Sequence, residues 1–474
     1  MVVVSFGFYS YNTVDILLCC DLLCRKRLVY NLYSHQQEVL DFSKENDRFI
    51  NAGEPGVGKT LATLAYIDYL LKDNPSLKVI VIAPKSIILS GWVKDCHKFT
   101  PHIPIVACVG TLKQKIDAFN SIATIYVSNY ETMHGKIDFS GEGYDVMVID
   151  EAVKVKNHKA RWTKAITILS REIKHIILLS GLLTPNNLQE IYSPVNIVEK
   201  GLLGKSFWSF RSHFFTPNPY SFQQKEWIAK QGAEQAIMDL VKPYVIRHTK
   251  EECLDLPEQI FSVREVDMTK RQAQYYLQMK KEMVLQLKDG NVPATTKATV
   301  LNKLSQISSG FIYDSEKNTH RFESSKLKEL DDIIMGELQN EKVLVFYTYK
   351  GEVDIFKEKY PEASYISGGQ NAQEQANAIR DFQEGDVRLI FASVSAAKYG
   401  ITLTSCSNVV YFSLNYSLDD MEQSKARVHR IGQTKVTNYI YLLSKNTVDK
   451  RIYNAILKKQ NLNEIINGMI EEEN

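Results

Sequence analysis

The sequence is short of cysteine, of long apolar runs and of any excess of one charge, and each shortage removes a class of protein. Seven cysteines (Cys19, Cys20, Cys24, Cys96, Cys108, Cys253 and Cys406) are spread over 474 residues. Their number is odd and no paired ligand spacing follows Cys19-Cys20-Cys24, so neither a disulfide framework nor a zinc site is expected, and a reduced, cytoplasmic setting is. The apolar stretch Ile16–Cys20 is bracketed by Asp15 and Asp21 and no basic segment precedes it. It is too short and too charged for a membrane span or a secretory signal, so it reads as a buried strand or helix and no membrane partner is expected. With 57 Lys+Arg against 55 Asp+Glu the net charge is +2, so a nucleic-acid partner has to be met by a local basic surface rather than by the whole molecule. Repeats and low-complexity linkers are also missing, and a chain of this length is expected to fold as two domains or more.

What is present is the stretch Gly53-Glu54-Pro55-Gly56-Val57-Gly58-Lys59-Thr60. Its G-x-x-x-x-G-K-[ST] form is that of a phosphate-binding loop: glycines let successive backbone N–H groups turn toward phosphate, Lys59 supplies a compact charge for the β/γ oxygens, and the Thr60 hydroxyl is a ligand for Mg²⁺. Arg48–Ala52 reads as a strand ending at the loop, and Thr60–Leu71 as an apolar-striped helix whose positive end faces the anion. Upstream, Gln36 lies near the start of a helix running to Ser43. Its amide offers a donor and an acceptor together, which matches an adenine edge and makes ATP the expected nucleotide.

Lys78–Pro84, Ile125–Tyr130, Tyr144–Glu151 and Ile176–Gly181 are near-continuous β-branched runs, the pattern of parallel strands buried on both faces. Ligands gather at the carboxyl ends of such strands, which makes Lys85, Ser86, Ser128 and Asn129 candidates for a phosphate backbone. The third run ends in Asp150-Glu151. Downstream of a phosphate loop, Asp150 is expected to hold the metal and Glu151 to orient and deprotonate the attacking water. Phe207, Trp208, Phe210, Phe214 and Phe215 are expected to core a helical subdomain rather than stack bases. A second α/β block follows, with strands in Lys342–Tyr347, Val387–Ala392 and Asn408–Phe412 and no second phosphate loop. There Arg427 and Arg430, three residues apart and expected on one helical face, suit arginines delivered to a transferring phosphoryl group when the blocks close.

Taken together, these residues resemble the superfamily-two helicase-like ATPases of the Swi/Snf type, over nearly everything from Leu32 to Lys459. Leu32–Gln36 is similar to the adenine-reading motif, Gly53–Thr60 to motif I, Ala83–Trp92 to motif Ia and Asp150–Val153 to the acidic box, followed by the family's Lys156-Asn157. Leu179–Ile191 is similar to motif III, Arg247–Pro257 to the connector between lobes, Gly400–Thr404 to motif V and His429–Gln433 to the end of motif VI. Three features depart from the family: Val153 replaces the box histidine, Leu182 and Leu183 replace Thr-Pro, and Ala397-Lys398 replaces Gly-Gly. They fall on residues that couple hydrolysis to motion rather than on those that bind or hydrolyse.

The resemblance implies an α/β fold of two RecA-like parallel-sheet lobes with small helical insertions. The expected divisions are an N-terminal extension at 1–31, an ATP-binding lobe at 32–246, a helical connector at 247–325 and a second lobe at 326–474. It further implies an ATP- and Mg²⁺-dependent motor on duplex DNA, gripping phosphates without strong sequence preference, with Lys85, Ser128 and Thr402 as DNA contacts. A strand-separating helicase and a non-hydrolysing ATP-dependent clamp are the alternatives, whereas a generic phosphate-loop kinase leaves the second block unexplained. The compact form, with no chromatin-reading module, looks like a viral, phage or bacterial member, working in the cytoplasm of its cell or host.

Overall fold

The computed structural model describes residues 31–181, 187–218, 227–288, 294–314, 316, 318–397 and 401–457. The β-branched runs become the interior strands of two all-parallel sheets. The first holds β1 (Arg48–Asn51), β2 (Val79–Ile82), β3 (Ile105–Cys108), β4 (Ile125–Ser128), β5 (Val146–Asp150), β6 (His175–Leu179) and β7 (Val245–Ile246), in the order β3-β4-β2-β5-β6-β1-β7. The second holds β8 (Gln259–Val266), β9 (Val343–Tyr347), β10 (Ser364–Ile366), β11 (Leu389–Ser393), β12 (Asn408–Tyr411) and β13 (Thr437–Ser444), in the order β8-β13-β12-β9-β11-β10. Val79–Ile82 and Val146–Ile149 are wholly inaccessible, as strands covered by helices on both faces require. Alternate residues feed two cores, Ile50, Ile149 and Leu178 on one face and Phe49, Val81 and Val148 on the other.

Two expectations need correction. Phe210, Phe214 and Phe215 do not core a subdomain of their own; they pack in the same cluster as Ile50 and Ile149, capping one face of the first sheet. The stretch 247–325 is not merely a helical connector. Its β8 pairs along its whole length with β13, and the following helices place Tyr276, Leu301 and Leu304 in the core that contains Leu344 and Phe346. The second lobe therefore starts at Gln259, and only Arg247–Glu258 links the sheets.

Parallel strands put all their carboxyl ends on one edge, which brings the loop after β1 and the acidic pair ending β5 to the same place. β7 seals the edge beside β1, with Ala52 N donating to Ile246 O at 2.8 Å and Glu54 N to His248 O at 3.0 Å. The linker thus leaves the first sheet directly over the phosphate loop.

In the second lobe a buried ion pair ties two helices together. Lys326 Nζ lies 2.9 Å from Asp449 Oδ2, and Asp449 also accepts from Ser308 Oγ at 2.7 Å and Ser444 N at 3.1 Å. Replacing Lys326 by methionine strands that carboxylate and is expected to lower unfolding stability by about 3 kcal/mol in urea titration. A loss below about 0.5 kcal/mol, ordinary for a surface change, would show that the pair carries no stability.

Candidate nucleotide site between the two sheets

The phosphate loop spans the turn between β1 and the helix α1 (Lys59–Asp73). Gly56 and Gly58 have φ of 97° and 82°, left-handed values that strain an L side chain. A Cβ on Gly58 would lie 2.2 Å from Gln36 Nε2, so the close approach depends on glycine. Gln36 is buried; its Nε2 donates to the carbonyls of Val57 at 3.4 Å and Gly58 at 3.3 Å, and its Oε1 accepts from Tyr33 N at 3.1 Å. The amide expected to read adenine is thus also a clamp on the loop. His35 adds a second grip, Nε2 to Val57 O at 2.8 Å.

Lys59 Nζ donates to Gly53 O at 2.6 Å and Glu54 O at 3.1 Å. Burial pushes its pKa down, and the carboxylates of Glu151 and Asp150 oppose that shift. Asp150 is the last residue of β5. Its Oδ2 accepts from the Trp92 indole at 2.8 Å and its Oδ1 from Glu151 N at 2.8 Å. Burial raises its carboxyl, and the indole and Lys59 counter it. Among the described residues no three His, Cys, Asp or Glu side chains converge as a metal cage. Thr60 and Asp150 are the oxygen-bearing side chains at this loop that could hold a Mg²⁺, an ion commonly bound by one or two protein oxygens plus substrate phosphates.

Glu151 takes a left-handed backbone, φ 55°, where the strand turns into a short helix at Ala152–Val155. Burial, then the neighbouring Asp150, pushes its carboxyl up to about 7. Tyr130 Oη holds this turn by donating to Asp150 O at 2.5 Å and Glu151 O at 3.2 Å.

The second lobe reaches this pair directly. Gln423 Nε2 donates to Glu151 Oε2 at 3.2 Å and to Asp419 Oδ1 at 2.9 Å. Arg427 and Arg430 do not share a helical face: the helix α2 (Leu418–Lys425) ends before them. The chain is turned there by a 2.9 Å bond from Leu403 N to Arg427 O. The two guanidiniums still converge, each donating to Ile401 O at 3.5 Å. A Cβ on Gly56 would lie 3.5 Å from Arg430 Cβ and 3.5 Å from Lys250 Cε, so both residues border the loop. Lys250 comes from the linker, and burial lowers its ammonium to about 8.

The SNF2-related domain family matches residues 35–309, and the helicase conserved C-terminal domain matches residues 325–432. The chain belongs to the SNF2-related family. Three relatives of this SNF2-related chain span most of it. The Mycoplasma genitalium protein MG018, named an uncharacterized ATP-dependent helicase, is 26% identical over 92% of this chain and 42% of its own length. Protein p41 of Acyrthosiphon pisum secondary endosymbiont phage 1 is 25% identical over 92% and 95%. YwqA of Bacillus subtilis, named an ATP-dependent helicase/translocase, is 26% identical over 89% and 46%. The SNF2-related chain therefore spans under half of the two bacterial relatives and nearly all of the phage protein.

The expected DNA contacts of the SNF2-related chain fare unevenly. Lys85 is exposed at the carboxyl end of β2. Ser128 is corrected: β4 continues through it, its side chain is fully buried, and its hydroxyl donates to Cys108 O at 3.1 Å. Thr402 Oγ1 accepts from Arg430 Nη1 at 2.9 Å, which ties motif V to the arginine. Val153 is partly buried in the short helix after Glu151. The altered Leu182, Leu183 and Lys398, and the cysteines of the first 30 residues, lie outside the described residues. Trp92, Tyr130, Lys250 and Gln423 carry no individual signal in the sequence, because each acts through a fold contact. Trp92→Phe removes the indole donor and is expected to lower kcat about tenfold in steady-state assay; an unchanged kcat would show that Asp150 is held without it.

Proposed function

We propose that this chain is a DNA-dependent ATPase that hydrolyses ATP between its two lobes to translocate along or remodel duplex DNA. The observation that carries the reading is the bond from Gln423 of the second lobe to Glu151 of the first, together with Arg430 at the phosphate loop. The hydrolytic set is complete only when the lobes meet, so turnover is tied to their relative position. Glu151 accepts the proton of the attacking water, Arg427 and Arg430 stabilise charge on the transferring phosphoryl group, and Lys59 with the loop amides orients the phosphates. Bound Mg²⁺ would neutralise phosphate oxygens as charge develops. The helicase and translocase names of the relatives support the reading.

DNA would lie across both lobes, with Lys85 as one phosphate contact, and contacts of that kind carry no sequence information. No helix among the described residues is long and apolar enough to cross a membrane, and a cytoplasmic site of action accords with the cysteine usage. The test is the steady-state ATPase rate alone, with single-stranded DNA and with duplex DNA. Strong stimulation by duplex is expected. Preference for single strands would favour strand separation, and ATP-dependent DNA binding without turnover would leave only the clamp.

A further inference from the structure

Away from the cleft, the second lobe encloses a cavity of about 160 Å³ between Ser309-Gly310, Ser324 and the helix Lys350–Lys359. Glu352, in the first turn of that helix, is completely buried. Its Oε2 is fully used, accepting from Thr348 N at 3.0 Å, Tyr349 N at 2.9 Å and Ser413 Oγ at 2.8 Å. Its Oε1 has no hydrogen-bond partner, and neither has the buried Ser324 Oγ; both residues line the cavity. The Ser309 hydroxyl faces the same carboxylate without a well-formed bond. Gly310, at φ 99°, is what lets these groups converge, since a Cβ there would meet Ser324 Cβ at 2.5 Å. Phe322, Phe356 and Phe412 complete the wall.

Lys326, the buried cation nearby, pairs with Asp449, lies over the Phe412 ring at 5.2 Å and also acts on Glu352, and Arg321 of the lining pairs with Glu358 at 2.7 Å. Burial raises the Glu352 carboxyl, and its hydrogen bonds with the Lys326 charge counter that shift. Unsatisfied buried acceptors are costly and rare.

We propose that this cavity is a binding site for a primary alkylammonium ion. Such a group has three N–H donors, matching the three acceptors Glu352 Oε1, Ser309 Oγ and Ser324 Oγ, and the phenyl rings of the lining suit its alkyl stem. Divalent cations want six or more oxygens, which these three cannot supply. Nothing in this site touches the nucleotide cleft, so the proposal stands apart from the reading of ATP hydrolysis.

The test is thermal unfolding of the full chain titrated with methylammonium chloride, against tetramethylammonium chloride at equal ionic strength. A saturable rise in Tm with methylammonium alone is expected, its midpoint shifted roughly tenfold or more upward in Glu352→Gln through loss of a charge-assisted bond. Ser324→Ala keeps the buried carboxylate and should give a smaller shift in the same direction, which keeps the test available if Glu352→Gln does not fold. Equal responses to the two ions, no saturable response, or wild-type midpoints in both variants would overturn the proposal.

Discussion

Replacing Glu151 by glutamine is expected to lower kcat for ATP hydrolysis by about 10³-fold, within the range that a general base contributes, while ATP and duplex DNA still bind. The side chains have the same shape, and an amide oxygen can still accept from Gln423 Nε2, so the cross-lobe contact survives. What is lost is the proton acceptor. A carboxyl raised by burial and by the Asp150 charge is more basic than an exposed glutamate and still able to ionise near neutrality. Single-turnover kinetics with filter binding of DNA would separate the two effects. A fall of under about tenfold, too small for a lost base, would move the proton to another acceptor.

Arg430→Ala is expected to cost about 10³-fold in kcat, the lower end of what an arginine supplied to a phosphoryl group provides. Arg430 is half-buried on the loop side of the second lobe and held by Thr402 Oγ1 and Ile401 O. Its role predicts equal losses in kcat and kcat/KM, the mark of an interaction made only in the transition state. Arg430→Lys should not rescue, because an ammonium cannot reproduce the guanidinium fork. If KM for ATP rises and kcat stays level, Arg430 merely binds ground-state nucleotide. Thr402→Val, which frees the guanidinium without removing it, should fall between wild type and Arg430→Ala.

The strands that frame the site were legible because parallel sheets bury both faces, so Lys78–Pro84 and Tyr144–Asp150 read as unbroken apolar runs. β8 was not legible for the converse reason. It is an edge strand that mixes Arg264 and Glu265 with half-exposed Ile260 and Phe261, and its partner β13 lies far along the chain. Ser128 failed as a surface residue because a lone hydroxyl at a strand's end looks the same whether it meets water or the carbonyl of β3. Arg427 and Arg430 were found by identity and misplaced by geometry, since a hydrogen bond to Leu403 ends the helix where the sequence carries no proline or glycine stop. The loop and carboxylates were visible because their chemistry is local. Gln423, Trp92, Tyr130 and Lys250 were not, because each matters only through the neighbour that the fold gives it.

Lobe closure around ATP is proposed to drive movement along duplex DNA. Displacement of a labelled third strand from a DNA triplex tests it most directly, with the Glu151→Gln protein as the control. ATP-dependent release of the third strand, with the underlying duplex intact and no release by the variant, is the predicted result. Separation of the duplex strands, or third-strand release that persists in the variant, would contradict it.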